Sequence, residues 1–527
     1  MRSLGDRTVD LLVIGGGIIG TGIARDAARR GLSVALVEQA DLASGTSSRP
    51  TRLIHGGLRY LELFDFGLVR SDMREREILL RIAPHLVFPL AFLLPLYRPS
   101  LIYRAKLRIG MLLYDLLSLD KSLPKRRWLR RSAALAAEPG LQPNGLAGAW
   151  RFYDAQVPLV ERLVVENALD AAAHGALVLN HAKATSFLRE GPRVTGAVVH
   201  DALTGGDIAV RARYTVNATG AWLDDTIAPL RATAKPLLRL TKGIHLVTPR
   251  ATEQAHVLFA KRDGRLFFVV PWRGCTIVGT TDTDYHADPA AADATEDDVR
   301  YLQAEALAAF PGAPFDVIHF TWAGIRALVR VEGVAEGEVS RKHALYDHER
   351  RDGTPGVLSV IGGKITAYRA IAEEVADRVA RTLGGATRGD TARAPLPGAG
   401  GPIDDRATRL GLPATVTSNL TAVYGSLAGR VLDLVTAEPG LAQALCAHEP
   451  TIAAELAYVV RDEWAVTLGD ALLRRTGIGL RACQGLDCIG AIAERMGALR
   501  GWDAARCAAE VEAYRRELAP MRAFSTS

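Results

Sequence analysis

A short run just after residue 50 combines side chains that can move a proton and bind an anion. His55 and the pair Arg59-Tyr60 flank Gly56-Gly57. Histidine titrates near neutral pH, and the planar guanidinium of arginine suits carboxylate or phosphate oxygens. The pattern predicts a polar, cationic site on a glycine turn, and the elements that precede it must hold it in place.

Those elements begin with a strand, a glycine turn and a helix. The run from Val9 to Ile14 is rich in aliphatic residues, as expected of a parallel strand buried on both faces. Gly15, Gly17 and Gly20 then follow the spacing G-x-G-x-x-G. The first permits a tight turn, the second lets backbone approach a pyrophosphate, and the third lets helix and strand pack closely. The amino terminus of the helix offers its free N–H groups to the phosphates.

A second strand, from Leu32 to Val37, ends at Glu38. A carboxylate at this position can accept hydrogen bonds from both hydroxyls of a ribose. Strand, turn, helix and acid together predict a bound dinucleotide, with the site around His55 at its reactive end.

Composition is typical of a large intracellular enzyme. A chain of 527 residues is too long to fold around one compact hydrophobic core, so we expect two domains. Five cysteines without a CxxC pair argue against a disulfide framework or a metal site, and Cys483 and Cys488 are expected to be buried thiols. Asp6, Arg7 and Asp10 interrupt the amino terminus, so we expect no signal peptide. No apolar run approaches the roughly 20 residues that span a bilayer.

Positive charge is concentrated between Arg98 and Arg131, which we call the basic segment. It holds ten Lys or Arg and two acids, a balance of +8, whereas the whole chain carries +6. Its cations stand beside Leu, Met, Tyr and Trp residues, among them Trp128. Exposed, such a mixture suits the interface of an anionic membrane leaflet; the alternative is a core helix with a solvated basic tail. No nucleic-acid module accompanies it, so we expect no nucleic-acid partner.

The remaining sequence predicts an α/β body with a helical appendage. Alternating strand-like runs between residues 176 and 284 indicate antiparallel sheet, and Pro355 to Ala380 reads as a strand, a glycine turn and a helix. The segment 384–405 is rich in Gly, Pro and Ala and is the best domain boundary. We therefore expect domains at 1–383 and 406–527, the second one helical.

Blocks spread over nearly the whole chain resemble the flavin-dependent glycerol-3-phosphate dehydrogenases, within the D-amino-acid-oxidase-like superfamily. The resemblance implies FAD rather than NAD, a choice that the glycine motif alone leaves open. It also implies a Rossmann-like FAD-binding domain, an interleaved antiparallel-sheet substrate domain and a C-terminal all-helical domain. The matching blocks are GGGIIGTGIARDAARRGLSVALVE, DLASGTSS, LIHGGLRYLE, REREILLRIAPHLVFPL, VNATGAW, LTKGIHLVTPR, VPW, VGTTDTDY, GIRALV, IGGKITAYR and VVRDEWAVTLGDALLRRTGIGL.

The resemblance assigns substrate-site roles. Arg59, Arg326 and Arg341 match positions that line this family's substrate site, where arginine suits a phosphate. Tyr60 and Thr280 are expected polar partners of the substrate.

Other matched residues are expected to act on the reaction or to hold FAD. His55 is the expected base for the substrate hydroxyl. The alternatives are that a water organised by an arginine is the base, and that His55 only orients the flavin or caps a turn. Lys364 is similar to a lysine near the flavin, where a cation would stabilise negative charge. The expected FAD-binding residues are Gly15, Gly17, Ile18, Gly20, Glu38, Thr46, Ser47, Ala218, Gly220, Gly362, Gly363, Lys364 and Thr366.

Four positions depart from the family's pattern. Ile19 stands where asparagine is usual, and Pro50-Thr51-Arg52 replaces two small hydroxyl residues and a lysine. Pro158 to Glu161 replaces a common acidic pair, and Ala327 replaces a proline. None of these changes removes a residue expected to bind phosphate.

The resemblance implies oxidation of sn-glycerol 3-phosphate to dihydroxyacetone phosphate by hydride transfer to FAD. We expect the electrons to pass to a membrane quinone, with the chain peripheral on the inner face of the cytoplasmic membrane. The alternatives are an oxidase that uses O2 and a non-catalytic flavoprotein that binds a phosphorylated metabolite. The sequence is compatible with a homodimer and does not decide the oligomeric state.

Overall fold

A computed structural model describes residues 7–57, 65–98, 100–117, 121–231, 235–331, 342–385, 388–401 and 405–526. The strands, in chain order, are β1 (Thr8–Ile14), β2 (Val34–Val37), β3 (Leu53–Ile54), β4 (Phe88–Tyr97), β5 (Arg127–Arg130), β6 (Leu146–Gln156), β7 (Leu177–Leu179), β8 (Ala182–Glu190), β9 (Arg193–Asp201), β10 (Gly206–Asn217), β11 (Leu238–Pro249), β12 (Ala255–Phe259), β13 (Leu266–Trp272), β14 (Cys275–Gly279), β15 (Thr283–Asp284), β16 (Phe320–Val329), β17 (Ala344–Asp347), β18 (Val357–Ile361), β19 (Ala444–Cys446) and β20 (Glu449–Ile452).

The α-helices are α1 (Ile18–Arg29), α2 (Phe66–Ile82), α3 (Leu101–Leu116), α4 (Arg131–Ala137), α5 (Val160–Ala173), α6 (Leu223–Ile227), α7 (Glu296–Ala309), α8 (His348–Asp352), α9 (Tyr368–Leu383), α10 (Arg406–Arg409), α11 (Ala414–Tyr424), α12 (Ala428–Ala437), α13 (Ala453–Asp462), α14 (Ile489–Arg500) and α15 (Ala504–Arg522). A π-helical turn, Asp470–Arg475, lies between α13 and α14.

The first sheet has a parallel core in the order β18, β10, β1, β2, β7, and β17 extends it in the antiparallel direction. The aliphatic run of β1 is buried between layers, and α1, α5 and α9 cover one face. Carboxyl ends of parallel strands meet at the same edge of a sheet. The turns after β1, β2, β10 and β18 therefore lie side by side.

The second sheet is mainly antiparallel, in the order β15, β11, β14, β13, β12, β4, β6, β3, with β16 on β11 and β5 on β6. Its strands alternate along the chain with those of the first sheet, so the two subdomains are interleaved. The predicted fold class is confirmed. The helical C-terminal region departs from it in one detail, a short hairpin of β19 and β20.

Buried ion pairs join the C-terminal region to the first sheet. Asp41, just after β2, accepts hydrogen bonds from both Arg474 and Arg475 of the π-helical turn, with ion-pair distances of 2.7 Å to each. Arg162 on α5 pairs with Glu463. The described part of 384–405 also packs on the body, where Arg25 donates to the carbonyl of Ala394 at 2.9 Å.

The basic segment is divided between core and surface. Helix α3 exposes Ile102, which is 83 % exposed, and also Ile109, Leu112 and Leu116. For three other apolar residues of the segment the expected exposure is wrong. Met111 and Tyr114 are buried, and Trp128 packs edge-on against Trp150. Within the described residues, every helix is too short or too polar to cross a bilayer.

Candidate active site

A cleft of about 1530 Å³ opens where the carboxyl edge of the parallel sheet faces the second sheet. Turns after β1, β2, β10 and β18 form one wall, and residues of β11, β13 and β16 form the other. Every described residue that the sequence assigned to the site lines this cleft, except Gly20, which lies behind the glycine turn.

The glycine turn is fixed by close backbone contacts. Gly15 has φ of +110°, and a Cβ there would lie 2.6 Å from the carbonyl oxygen of Ala218. A Cβ at Gly20 would lie 1.9 Å from the carbonyl oxygen of Gly15. Neither contact leaves room for a methyl group, so this turn requires glycine for steric reasons.

The first turn of α1 faces a hydroxyl-bearing segment. The N–H of Ile18 donates to Ser47 Oγ at 3.0 Å, and a Cβ at Gly17 would meet the same oxygen at 3.2 Å. Thr46 Oγ1 donates to the carbonyl of Ile325 on β16 at 2.7 Å. The segment thereby joins the helix amino terminus to the opposite wall.

Glu38 lies at the end of β2 with its carboxylate fixed by backbone. Oε2 accepts from the N–H of Gly16 at 2.6 Å, and Oε1 accepts from the N–H of Ala40 at 3.0 Å. Because each carboxylate oxygen can accept more than one hydrogen bond, both retain capacity for a ligand hydroxyl.

Two further glycine turns complete the wall. The N–H of Ala218 donates to the carbonyl of Ile14 at 2.8 Å, which holds the turn after β10 against the first one. Gly220 has φ of +58°, and Gly362 and Gly363 have φ of +69° and +116°. These left-handed conformations let the chain reverse at the edge of the cleft.

His55 lies between the turn after β18 and the second sheet. Its N–H donates to Thr366 Oγ1 at 3.2 Å. The imidazole is half-buried and meets the ring of Phe268 edge-on, with centroids 5.8 Å apart. Backbone and ring contacts therefore both set the orientation of this side chain.

Lys364 is held by a carboxylate from α2. Its Nζ lies 2.5 Å from Oδ2 of Asp72, whose side chain is completely buried. Burial raises the pKa of Asp72 to about 6, although Lys364 opposes the shift. The pair places an ammonium group at the cleft with a fixed counterion behind it.

Arg326 projects from β16 and is anchored on one side. Its guanidinium donates to Asp282 Oδ1 at 3.0 Å, to Thr280 Oγ1 at 3.0 Å and to the carbonyl of Thr281 at 3.1 Å. A Cβ at Gly243 would lie 2.1 Å from the guanidinium, so glycine makes space for it. The arginine and Thr280 thus form one polar unit in the cleft.

Three of the predicted substrate-site residues belong to segments outside the part of the chain that the structure describes. Arg59, Tyr60 and Arg341 lie outside the described residues. The structure therefore brings together His55, Thr280, Arg326 and Lys364 from the predicted set.

His245 lines the cleft and was not singled out by the sequence. Its Nε2 lies 2.9 Å from Thr51 Oγ1, and burial, helped by Arg326 and Arg52, holds its pKa well below the usual value. The ring is therefore neutral. Its position in the block LTKGIHLVTPR, between the aliphatic residues Ile244 and Leu246 of β11, was the available signal.

Asp72 was also missed, and its signal lies in the helical spacing of α2. Asp72, Glu75 and Arg76 recur at i, i+3 and i+4 and share the buried face with Val69 and Met73. Charged residues on an apolar face need partners within the protein. Such spacing marks a buried ion-pair network rather than a solvated helix face.

Two of the departures from the family pattern contact one another. Arg52 and Glu161 form a buried, two-pronged ion pair with both distances at 2.8 Å. The guanidinium also lies 4.8 Å from the ring centroid of Trp272 and 5.3 Å from that of Trp322. The two sequence changes therefore form a single structural unit beside the cleft.

The donor set fits a flavin dinucleotide. In the glycine turn, backbone atoms occupy the space that a Cβ would need. The first turn of α1 lines the cleft, and Glu38 lies at the end of the neighbouring strand β2. This arrangement suits a diphosphate and an adenosine ribose.

Comparison with known proteins agrees with this geometry. Residues 10–369 match the family model described as FAD dependent oxidoreductase, and residues 389–507 match the C-terminal domain of alpha-glycerophosphate oxidase. The chain is 37 % identical to a glycerol-3-phosphate dehydrogenase of Synechocystis, covering 96 % of this chain and 95 % of that one. It is also 37 % identical to glycerol-3-phosphate dehydrogenase 2 of Mycobacterium tuberculosis, covering 97 % of this chain and 88 % of that one.

A solved structure extends the likeness to the whole fold. The glycerol-3-phosphate dehydrogenase of Bacillus halodurans, complexed with FAD, matches with a TM-score of 0.80 and 28 % identity, over 98 % of this chain and 96 % of that one. Sequence, fold and cleft therefore agree. The chain belongs to the FAD-dependent oxidoreductase family, and it is an enzyme with FAD as its cofactor.

Proposed function

We propose that the protein oxidises sn-glycerol 3-phosphate to dihydroxyacetone phosphate and passes the electrons to a membrane quinone. The observation that carries the proposal is the position of Arg326 and Lys364 in one cleft with the FAD cradle. The names of the full-length relatives support the substrate. Bound FAD supplies the acceptor for the hydride from C2 of the substrate.

Arg326 would bind the substrate phosphate. Asp282 and Thr280 orient its guanidinium, so little side-chain entropy is lost when an anion binds. Arg59, Tyr60 and Arg341 are proposed to complete the substrate site. A fixed arginine fork favours a phosphorylated polyol over the free polyol.

His55 would accept the proton of the C2 hydroxyl. Its ring is oriented by Phe268 and its backbone by Thr366, which suits a group that must meet one hydroxyl. Neutral His245, on the opposite wall, would contribute a second hydrogen-bonding ring. Lys364 would stabilise the negative charge that develops beside it during the reaction.

The exposed face of α3 would contact the membrane. Ile102, Ile109, Leu112 and Leu116 are exposed, and Lys106 and Arg108 are exposed on the same helix. Apolar side chains beside cations suit shallow insertion into an anionic leaflet. This contact would bring the enzyme to its quinone on the inner face of the cytoplasmic membrane.

Anaerobic flavin reduction tests the chemistry. Mixing the purified protein with glycerol 3-phosphate should bleach the flavin, whereas glycerol should not. Arg326→Ala is expected to weaken substrate affinity by about a hundredfold, the cost of losing a charged hydrogen-bonding partner. Arg250→Ala, which removes an exposed arginine elsewhere, is the matched control. A flavin that stays oxidised would leave only the non-catalytic alternative.

The acceptor is tested separately. Quinone reduction in anionic liposomes, lost when Ile109 and Leu112 are replaced by Asn while flavin reduction persists, would support the quinone proposal. Peroxide formed in proportion to substrate, without liposome binding, would support an oxidase. That second candidate rests on the match of residues 389–507 to the C-terminal domain of alpha-glycerophosphate oxidase.

A further inference from the structure

A cluster of three cysteines lies in the C-terminal region. Cys446 ends β19, and Cys483 and Cys488 lie in the loop that leads to α14. The sequence predicted that Cys483 and Cys488 are buried thiols, but both are only partly buried. The Sγ atoms of Cys446 and Cys483 lie within 4.8 Å of each other, and the thiol of Cys488 donates to the carbonyl of Gly485 at 3.4 Å, in the same loop. None of the three cysteines lines the FAD cleft.

A carboxylate and an imidazole complete the cluster. The Sγ atoms of Cys446 and Cys483 and a carboxylate oxygen of Asp487 all lie within 4.8 Å of one another. Asp487 also lies 3.0 Å from Nε2 of His448, in the turn of the hairpin. Ligand atoms around a tetrahedral zinc ion with Zn–S bonds of about 2.3 Å are roughly 3.8 Å apart, so a small inward movement would enclose one ion.

The loop around Cys483 is held in one conformation by hydrogen bonds from the surrounding fold. The N–H of Gly485 donates to Cys483 Sγ at 3.5 Å. Gln484 and Gly485 adopt φ of +50° and +69°, and Tyr514 Oη donates to the carbonyl of Gln484 at 2.8 Å. Hydrogen bonds to a ligating sulfur, from groups held by the surrounding fold, stabilise metal–thiolate centres.

Charge also favours a cation at this position. The carboxyl group of Asp487 lies close to two sulfurs, and a positive charge between them would offset the repulsion of a carboxylate and thiolates there. The cationic neighbour Arg481 is already bound to Glu449 of β20. A divalent ion would balance the carboxylate and the thiolates together.

We propose that Cys446, Cys483 and Cys488 bind one Zn²⁺ ion, with a fourth ligand from the pair Asp487 and His448. Three thiolates with one oxygen or nitrogen ligand form a closed structural site. The ion would fasten the β19–β20 hairpin to the start of α14. Because Glu449 of that hairpin lies 3.6 Å from Arg273, in the turn between β13 and β14, the ion would also stabilise the contact between the C-terminal region and the second sheet.

Metal analysis of the full-length FAD-loaded protein, purified without chelator, tests the proposal. We expect about one zinc per chain, and a large loss of zinc in Cys446→Ser, Cys483→Ser and Cys488→Ser. Cys507→Ser is the matched control, because that thiol donates to the carbonyl of Ala493 outside the cluster. Retained FAD absorbance shows that each variant is folded.

Cobalt replacement supplies a readout independent of turnover. Co²⁺ bound by three thiolates should give strong sulfur-to-metal charge-transfer absorption, which each of the three serine variants weakens and Cys507→Ser does not. His448→Gln and Asp487→Asn identify the fourth ligand by the larger loss of zinc affinity. Zinc-free protein with three reactive thiols, a disulfide within the cluster, or iron with acid-labile sulfide would each overturn the single zinc ion.

Discussion

The two ends of the cleft are built by different means. At the proposed adenosine end, backbone atoms fix the geometry: Gly15 and Gly20 lie too close to neighbouring carbonyls for any side chain, and backbone N–H groups fix Glu38. At the proposed substrate end, ion pairs hold the groups in place. Lys364 depends on Asp72, Arg326 on Asp282, and Arg52 on Glu161.

The difference determines how each end tolerates change. A site built from closely packed backbone loses its shape when a side-chain atom is added to one of its glycines, because there is no space for that atom. A buried ion pair fails when one partner is removed, because the other charge is left without compensation. The following predictions test that contrast, beginning with the largest expected effect.

Glu161→Gln should destabilise the protein by about 3 to 5 kcal/mol, because Arg52 stays buried without its counterion. The temperature of flavin release and the thermal unfolding midpoint should both fall. Glu253→Gln, in the exposed pair with Arg250, should cost less than about 1 kcal/mol. The double variant Arg52→Met with Glu161→Leu should recover much of the loss. Equal effects at the buried and exposed pairs would contradict the role of burial.

Gly20→Ala should remove FAD. A Cβ only 1.9 Å from the carbonyl oxygen of Gly15 forces the turn apart, at a cost of about 3 kcal/mol, or on the order of a hundredfold in FAD affinity. The ratio of flavin absorbance to protein absorbance measures the FAD content of the variant. Gly490→Ala, on α14 with open space around it, should keep full FAD content. A fully loaded Gly20→Ala protein would show that the backbone contact does not set the cradle.

Asp72→Asn should leave FAD bound and slow flavin reduction by about tenfold, because Lys364 loses the carboxylate that holds it. Stopped-flow reduction at saturating substrate isolates this step from binding. The control is Asp297→Asn, an exposed acid on α7. Asp72→Asn that weakens substrate affinity but reduces flavin at the normal rate would argue for a role in binding instead.

The smallest effect is a pH dependence. The pKa of Asp72 is raised from 3.8 to about 6 by burial, so the carboxylate gains a proton as the pH falls through about 6 and its ion pair with Lys364 is lost. Flavin reduction should slow by a few fold over that range, and Asp72→Asn should not show the inflection. Because the folded state binds this proton more tightly, the contribution of Asp72 to the free energy of unfolding falls as the pH rises from about 4 to about 6.

The same contrast explains what could be predicted from sequence. The glycine turn, α1, β2 and Glu38 are contiguous, so their spacing alone predicts the cradle and the parallel sheet. Lys364 and Asp72 are 292 residues apart, and no local pattern joins them. Arg52 and Glu161 each looked like an isolated departure, because their compensation is visible only in three dimensions.

The basic segment illustrates a second limit. Its composition predicted exposed Met, Tyr and Trp residues, but Met111 and Tyr114 face the core and Trp128 packs on Trp150. Helical spacing separates the two faces of α3, and composition does not. The exposed face nevertheless contains the aliphatic residues on which the proposed membrane contact rests.

The buried ion pairs of Arg474 and Arg475 with Asp41 have a consequence for the biosynthesis of the protein. Asp41 lies three residues beyond Glu38, beside the glycine turn, and its two buried partners are made 433 and 434 residues later in the chain. Until Arg474 and Arg475 have been made, Asp41 lacks the two guanidinium groups that balance its charge. We therefore expect cofactor loading to be completed only after Arg474 and Arg475 have left the ribosome, and chains truncated before Arg474 to lack flavin.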